Sequence, residues 1–197
     1  MQTRLILIRH GETEYNRKKR YSGSTDIAIN SVGIRQSKAV VDKLKREHID
    51  VIYSSNKLRA KQSAKIMFPG KRIILSSKLA EIDFGVFEGL TRDQMISLYP
   101  KVFASWIKHP YKARIPKAET LLQLCKRISA EINKIVRNSN GKNIAIVFHG
   151  AAISVFINYI LHKRDFWKFL PSSASLSIVE YDKNRKKLVM FNNNLLS

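Results

Sequence analysis

The sequence predicts an α/β protein, a three-layer α/β/α sandwich around a mostly parallel central sheet. Short runs rich in β-branched residues recur along the chain and end at Gly, Ser or charge, which is how buried strands read. Stretches of helical period lie between them, and strand followed by helix, repeated, is the pattern of a parallel sheet covered by helices. The length of 197 residues, 44% of them hydrophobic, suffices for one substantial core and requires no second, so 1–197 is expected to form a single domain.

Arg4 to Arg9 is the first strand, with an unbroken apolar centre from Leu5 to Ile8. Ser31 to Glu47 carries apolar residues at Val32, Ala39, Val40 and Leu44 and reads as a helix. Val51 to Ser55 is the second strand, Leu58 to Phe68 a shorter helix closed by Pro69-Gly70, and Ile73 to Ser77 the third strand. Thr91 to Lys117 mixes Tyr99, Phe103, Trp106 and Tyr111 with Pro100, Pro110 and Pro116, which predicts short helices and loop over the sheet, an insertion that covers the substrate. The longest helical pattern runs from Thr120 to Arg137 and opens on a capping box, Thr120 with Gln123. Ile144 to His149 is a strand followed by an apolar helix from Ala151 to Leu161. Leu176 to Tyr181 and Lys187 to Phe191 flank the polar run Asp182-Lys183-Asn184-Arg185-Lys186 and read as a hairpin or as adjacent strands. The chain shows no internal repeat, low-complexity tract or linker.

Lys and Arg number 36 against 15 Asp and Glu, a net charge of +21, which raises the local concentration of anions: nucleic acid, an acidic membrane surface or a small phosphorylated metabolite. A lysine-rich solvated surface accounts for that composition equally well. The single cysteine, Cys125, excludes an internal disulfide and a thiolate zinc cluster, and its place among Leu121, Leu122, Leu124 and Ile128 turns it toward the core. The apolar opening is too short for a signal peptide or a membrane span, so a cytoplasmic protein without a membrane partner is expected.

His10 and Gly11 directly follow an apolar run, which places them at the carboxyl end of a strand, where open α/β sheets collect ligands. Arg9 presents a planar fork of donors suited to phosphate oxygens, and Gly11 removes the Cβ that would crowd an approaching anion. A second pair, His149-Gly150, also follows an apolar run and precedes an apolar helix whose first amides suit an anion. Each pair alone is weak, and His149 alone reads as a satisfied structural histidine. Two strand-end pairs together point to one pocket if their strands are neighbours.

These residues and their order resemble the histidine phosphatase superfamily, the phosphoglycerate mutase-like enzymes, over nearly the whole chain. Arg9-His10-Gly11-Glu12-Thr13 with Asn16 resembles the opening motif, and Tyr21-Ser22-Gly23-Ser24-Thr25-Asp26, with Gly33 and Gln36, the second stretch. Ser54-Ser55-Asn56-Lys57-Leu58-Arg59-Ala60 is similar to the segment that brings in a phosphate-binding arginine, and Leu79 to Thr91 to the stretch carrying an acid. The resemblance implies that His10 attacks phosphorus, that Glu81 is the general acid, and that Arg9, Asn16, Arg59 and His149, with Ser22 and the amides near Gly23 and Gly150, hold the phosphoryl oxygens. It is the resemblance that selects Glu81 over Asp83 and Glu88. No metal and no cofactor is implied, since two arginines and a histidine supply the positive charge phosphoryl transfer needs.

Trp106-Ile107-Lys108-His109-Pro110, Pro116-Lys117-Ala118-Glu119-Thr120 and Arg127 resemble the short phosphatase branch that includes α-ribazole phosphatase. Lys117-Ala118 stands where that branch has two glycines, so a backbone needing positive φ there would be strained at Ala118. The reading is a phosphomonoesterase acting on a small phosphorylated metabolite, with α-ribazole 5′-phosphate as one substrate. Its alternatives are a broad-specificity phosphatase, a phosphoglycerate mutase, and a catalytically silent anion- or nucleic-acid-binding protein. Nucleic acid is disfavoured as a partner because Arg17-Lys18-Lys19-Arg20 has only Tyr21 beside it for stacking. A homodimer is left open, and His48, His109 and His162 read as surface residues.

Overall fold

The computed structural model describes residues 2–45, 47–182 and 185–193. Strand β1 (Gln2–Arg9) runs through the middle of the molecule because its apolar centre has a core on each face. Leu5 and Leu7 pack into one cluster, Ile6 and Ile8 into another, as the period of two requires. In chain order follow α1 (Glu14–Arg17), α2 (Ser31–Leu44), β2 (Val51–Ser55), α3 (Leu58–Met67), β3 (Ile74–Ser76), α4 (Arg92–Leu98), α5 (Pro100–Lys108) and α6 (Leu121–Asn138). Then come β4 (Asn143–Phe148), α7 (Gly150–Ile160), β5 (Leu176–Asp182) and β6 (Arg185–Asn193).

The six strands form one sheet in the order β3-β2-β4-β1-β5-β6, parallel through β1 and antiparallel at β5 and β6. Val40 and Leu44 of α2 with Ala64 and Met67 of α3 cover one face, and α6 and α7 cover the other with Leu124, Ile128, Ile132, Val155 and Phe156. This is the three-layer sandwich that the alternation of strands and helices predicts. The capping box at α6 forms as expected: the Gln123 amide donates to Thr120 Oγ1 at 3.2 Å and the Thr120 amide to Gln123 Oε1 at 2.8 Å.

Some boundaries differ from expectation for physical reasons. Helix α2 stops at Leu44 rather than Glu47, because the chain beyond it offers no apolar side chain before Ile49. His149 leaves the strand and becomes the extended cap residue of α7. Strands β5 and β6 form the hairpin, with Asp182 opposite Arg185; Lys183 and Asn184 of the polar run lie outside the described residues. The left-handed backbone expected at Ala118 falls instead on Lys117, with φ 60°, while the Ala118 amide closes a turn onto the Ile115 carbonyl. Segment 91–117 holds α4 and α5, and its Met95, Phe103 and Trp106 are buried in the main core. Among the described residues no helix is long and apolar enough to cross a membrane.

Candidate active site

Because β1 and β4 are parallel neighbours with Arg9 opposite Phe148, His10 and His149 leave the sheet at one level. Their rings meet edge to face with centroids 5.2 Å apart, His10 4% exposed and His149 fully buried. His10 Nδ1 lies 2.7 Å from the Gly11 carbonyl oxygen, which only accepts, so Nδ1 carries the hydrogen and Nε2 keeps its lone pair. Burial, then the fields of Arg59 and Arg9, hold the His10 pKa well below the usual imidazole value, and the ring is neutral. Burial, then the fields of Arg59, His10 and Arg9, hold the His149 pKa well below the usual value too; its Nε2 is 2.8 Å from Ser55 Oγ, and its buried Nδ1 has no partner among the described residues.

Both arginines are fixed in place. Arg59, 1% exposed in the first turn of α3, donates from Nη1 to the Thr25 carbonyl at 2.9 Å and from Nη2 to that of Gly23 at 3.0 Å. Arg9 donates from Nη1 to the Pro171 carbonyl at 2.6 Å, and its buried Nε has no partner among the described residues. A Cβ on Gly150 would stand 3.3 Å from the Arg9 guanidinium, so the glycine makes room for that side chain. Asn16 caps within α1: its Oδ1 accepts from the Thr13 amide at 3.1 Å, which leaves its NH2 to offer the cleft it lines.

Two carboxylates occupy opposite environments. Glu81 accepts the Ala151 and Ala152 amides at 3.0 and 3.1 Å at the start of α7, and burial raises its pKa against the Ala151 and Ile82 amides and the two arginines. Burial also pushes Glu88 up, but donors from Phe84, Ser24, Gly23 and Thr25 outweigh it and hold that carboxyl below the usual range.

Three expectations are corrected here. The Gly23 amide is given to Glu88, and the Ala151 and Ala152 amides to Glu81, so of the expected anion donors at the start of α7 the Gly150 amide is the one that Glu81 does not take. Gly11 lacks a Cβ for the sake of helix α2: that atom would fall 2.5 Å from the Gly33 carbonyl oxygen. And the cleft wall beyond the phosphate-facing side comes from Phe166, Trp167 and Leu170, after α7; segment 91–117 stands behind it, with Trp106 packed on both aromatics and donating to Tyr21 Oη. Sequence reasoning missed that wall and Ser63, whose Oγ accepts from the Gly11 amide at 2.9 Å and whose only signal was a polar residue in apolar surroundings.

Arg9, Asn16, Ser22, Glu81 and Gly150 line a cleft of about 180 Å³, with the aromatic wall opposite. Five buried side-chain polar atoms lack a partner among the described residues; Arg9 Nε and Ser22 Oγ belong to residues that line this cleft, and His149 Nδ1 to the ring packed against His10. An unpaired buried donor costs about 1–3 kcal/mol, so this concentration marks a place built for a ligand rich in acceptors.

A model of the histidine phosphatase superfamily, branch 1, matches residues 5–194. Phosphoserine phosphatase 1 of Hydrogenobacter thermophilus is 28% identical over 193 residues, 96% of this chain and 92% of that one. The phosphoserine phosphatase of Entamoeba histolytica, solved with 3-phosphoglyceric acid, superposes with a TM-score of 0.89 at 27% identity over 98% of each chain. The α-ribazole phosphatase of Shigella flexneri has the same fold, with a TM-score of 0.88 at 22% identity over 98% of each chain. With the matched span taking in both His-Gly corners and nearly all of the sheet, the chain belongs to the histidine phosphatase superfamily, branch 1, and is a phosphatase.

Proposed function

We propose that the protein hydrolyses a small phosphomonoester through a phosphohistidine on His10. The observation that carries this reading is a neutral imidazole with a free Nε2 lone pair beside two buried arginines and three unpaired polar atoms. The Nε2 lone pair attacks phosphorus in line as the P–O bond to the leaving group breaks. Arg9, Arg59, Ser22, Asn16 and His149 hold the equatorial oxygens, where positive charge and positioning do most of the catalysis. Glu81, whose pKa burial raises, is the group that gives a proton to the departing alkoxide. In the second step Glu81 takes a proton from water, the water oxygen bonds to phosphorus, and the P–N bond returns its electrons to Nε2.

The first test is chemical. A quenched reaction should trap a label on His10 that is lost in acid and kept in base, and His10→Ala should abolish turnover of an aryl phosphate while the protein stays folded. Activity should survive EDTA. An acid-stable label on serine or threonine would place the chemistry elsewhere.

On substrate, α-ribazole 5′-phosphate stands as the finer reading because the aromatic wall of Phe84, Phe166 and Trp167 suits a flat apolar leaving group. The names of the Hydrogenobacter and Entamoeba relatives favour phosphoserine instead. Comparing kcat/KM for the two compounds decides between them.

A further inference from the structure

A second, wider hollow adjoins the cleft and shares Arg9, Asn16, Arg20, Tyr21 and Leu170 with it. Its far side adds Lys19, Glu12 and the Ser172-Ser173 turn. We propose that this hollow binds a second anionic group, a carboxylate or a phosphate, carried on the leaving-group side of the substrate and held by Lys19 and Arg20. The inference deepens the phosphomonoesterase reading and rests on it for the position of the reacting phosphate.

Charge and backbone agree on the assignment. Three cations face the hollow against one carboxylate, Glu12, whose Oε1 already accepts from Asn30 Nδ2 at 2.8 Å. Arg20 is tethered through Nη1 to the Gly89 carbonyl and Gln94, so its guanidinium is held at the junction of the two spaces rather than swinging in solvent. The Lys19 ammonium has no carboxylate partner among the described residues. Its backbone is the more telling feature. Lys19 sits just past the end of α1 at φ 51°, a left-handed position that glycine fills without penalty and lysine does not. Of the described non-glycine residues at positive φ, it is the one that lines this hollow. A strained residue kept beside a binding site points to a use for its side chain.

The experiment compares matched substrates on the full chain. O-phosphoserine and O-phosphoethanolamine differ by one carboxylate, glucose 1,6-bisphosphate and glucose 1-phosphate by one phosphate, and p-nitrophenyl phosphate reports the chemistry itself. The wild-type protein should prefer the more anionic member of at least one pair by about fivefold in kcat/KM, the scale of a partly exposed ion pair. The pair that shows the preference identifies the group. Lys19→Gly, which suits the left-handed backbone and is expected to fold at least as well, and Arg20→Gln should each shrink that ratio. Raising the salt to about 0.15 M, where the Debye length is about 8 Å, should shrink it too. Equal values within both pairs, or a preference that survives both variants, overturns the proposal. Absence of p-nitrophenyl phosphate hydrolysis would instead count against the His10 chemistry. Calorimetric Kd values for the same pairs on His10→Ala then decide the second-anion site, a ratio of one overturning it.

Discussion

Glu81 and Glu88 lie seven residues apart and differ in what surrounds them. Glu88 collects donors from the 22–25 loop and Phe84, and that loop offers the carbonyls which hold Arg59, so the carboxylate positions the arginine at one remove. Glu81 meets fewer donors and more burial, and its pKa rises. A raised pKa keeps the proton available above the usual range of a carboxyl, which suits a general acid. Glu81→Gln should therefore slow alkyl phosphates far more than p-nitrophenyl phosphate, since a good leaving group hardly needs the proton. In kcat/KM against pH, the alkyl substrates should lose rate as Glu81 ionises, above its ordinary value near 4.5, and the Gln variant should lose that limb. Equal losses on both substrate types would make Glu81 structural.

Between elements, a tight contact behind His10 is backbone on backbone. The start of α2 lies against the chain at Gly11 and Glu12, and a Cβ on Gly33 would stand 2.2 Å from the Glu12 carbonyl oxygen. Gly33→Ala gains about 1 kcal/mol of helix propensity. It also pushes two main chains apart, and overpacking of that kind costs about 1–3 kcal/mol before any effect on the neighbouring His10. Its Tm should fall by several degrees and its kcat with it. Gly150→Ala meets only the end of the Arg9 side chain at 3.3 Å, which can yield by a few tenths of an ångström. That variant should keep its Tm and weaken phosphate as a competitive inhibitor. A thermal melt and an inhibition constant separate the two, and equal Tm losses would show that the α2 contact is not the rigid one.

Over the whole molecule, two buried neutral histidines tie stability to pH. His10 and His149 both have pKa values well below the usual 6.5, so as pH falls through 6.5 the unfolded chain takes up protons that the folded chain refuses. Stability is fully present above that value and declines below it, by about 1.4 kcal/mol per histidine for each unit of pH between the two pKa values. Glu81 acts in the opposite sense, losing stability as pH rises through 4.5, but it is one group against two. Tm should fall between pH 7.5 and 5.5, with salt held at about 0.3 M to damp the repulsion of a +21 chain. His10→Ala should flatten the slope, and bound vanadate should raise Tm at both pH values by mass action. A Tm independent of pH would contradict the buried neutral state.

Local pattern by itself determined the strand at Val51–Ser55, the cap at Thr120, the two strand-end histidines and the basic run beside them, because period, turn chemistry and capping act over a few residues. The arrangement of the motif residues was legible only through resemblance to a family, since nothing in the spacing chose Glu81 over Glu88. Tertiary structure alone decided that β1 and β4 are neighbours, which joins His10 to His149 across 139 residues of sequence. It also decided that Phe166, Trp167 and Leu170 wall the cleft and that the Gly23, Ala151 and Ala152 amides serve carboxylates of the protein. Which donor meets which acceptor, and which glycine touches which backbone, depends on groups far apart in the chain, and no window of local sequence contains both partners.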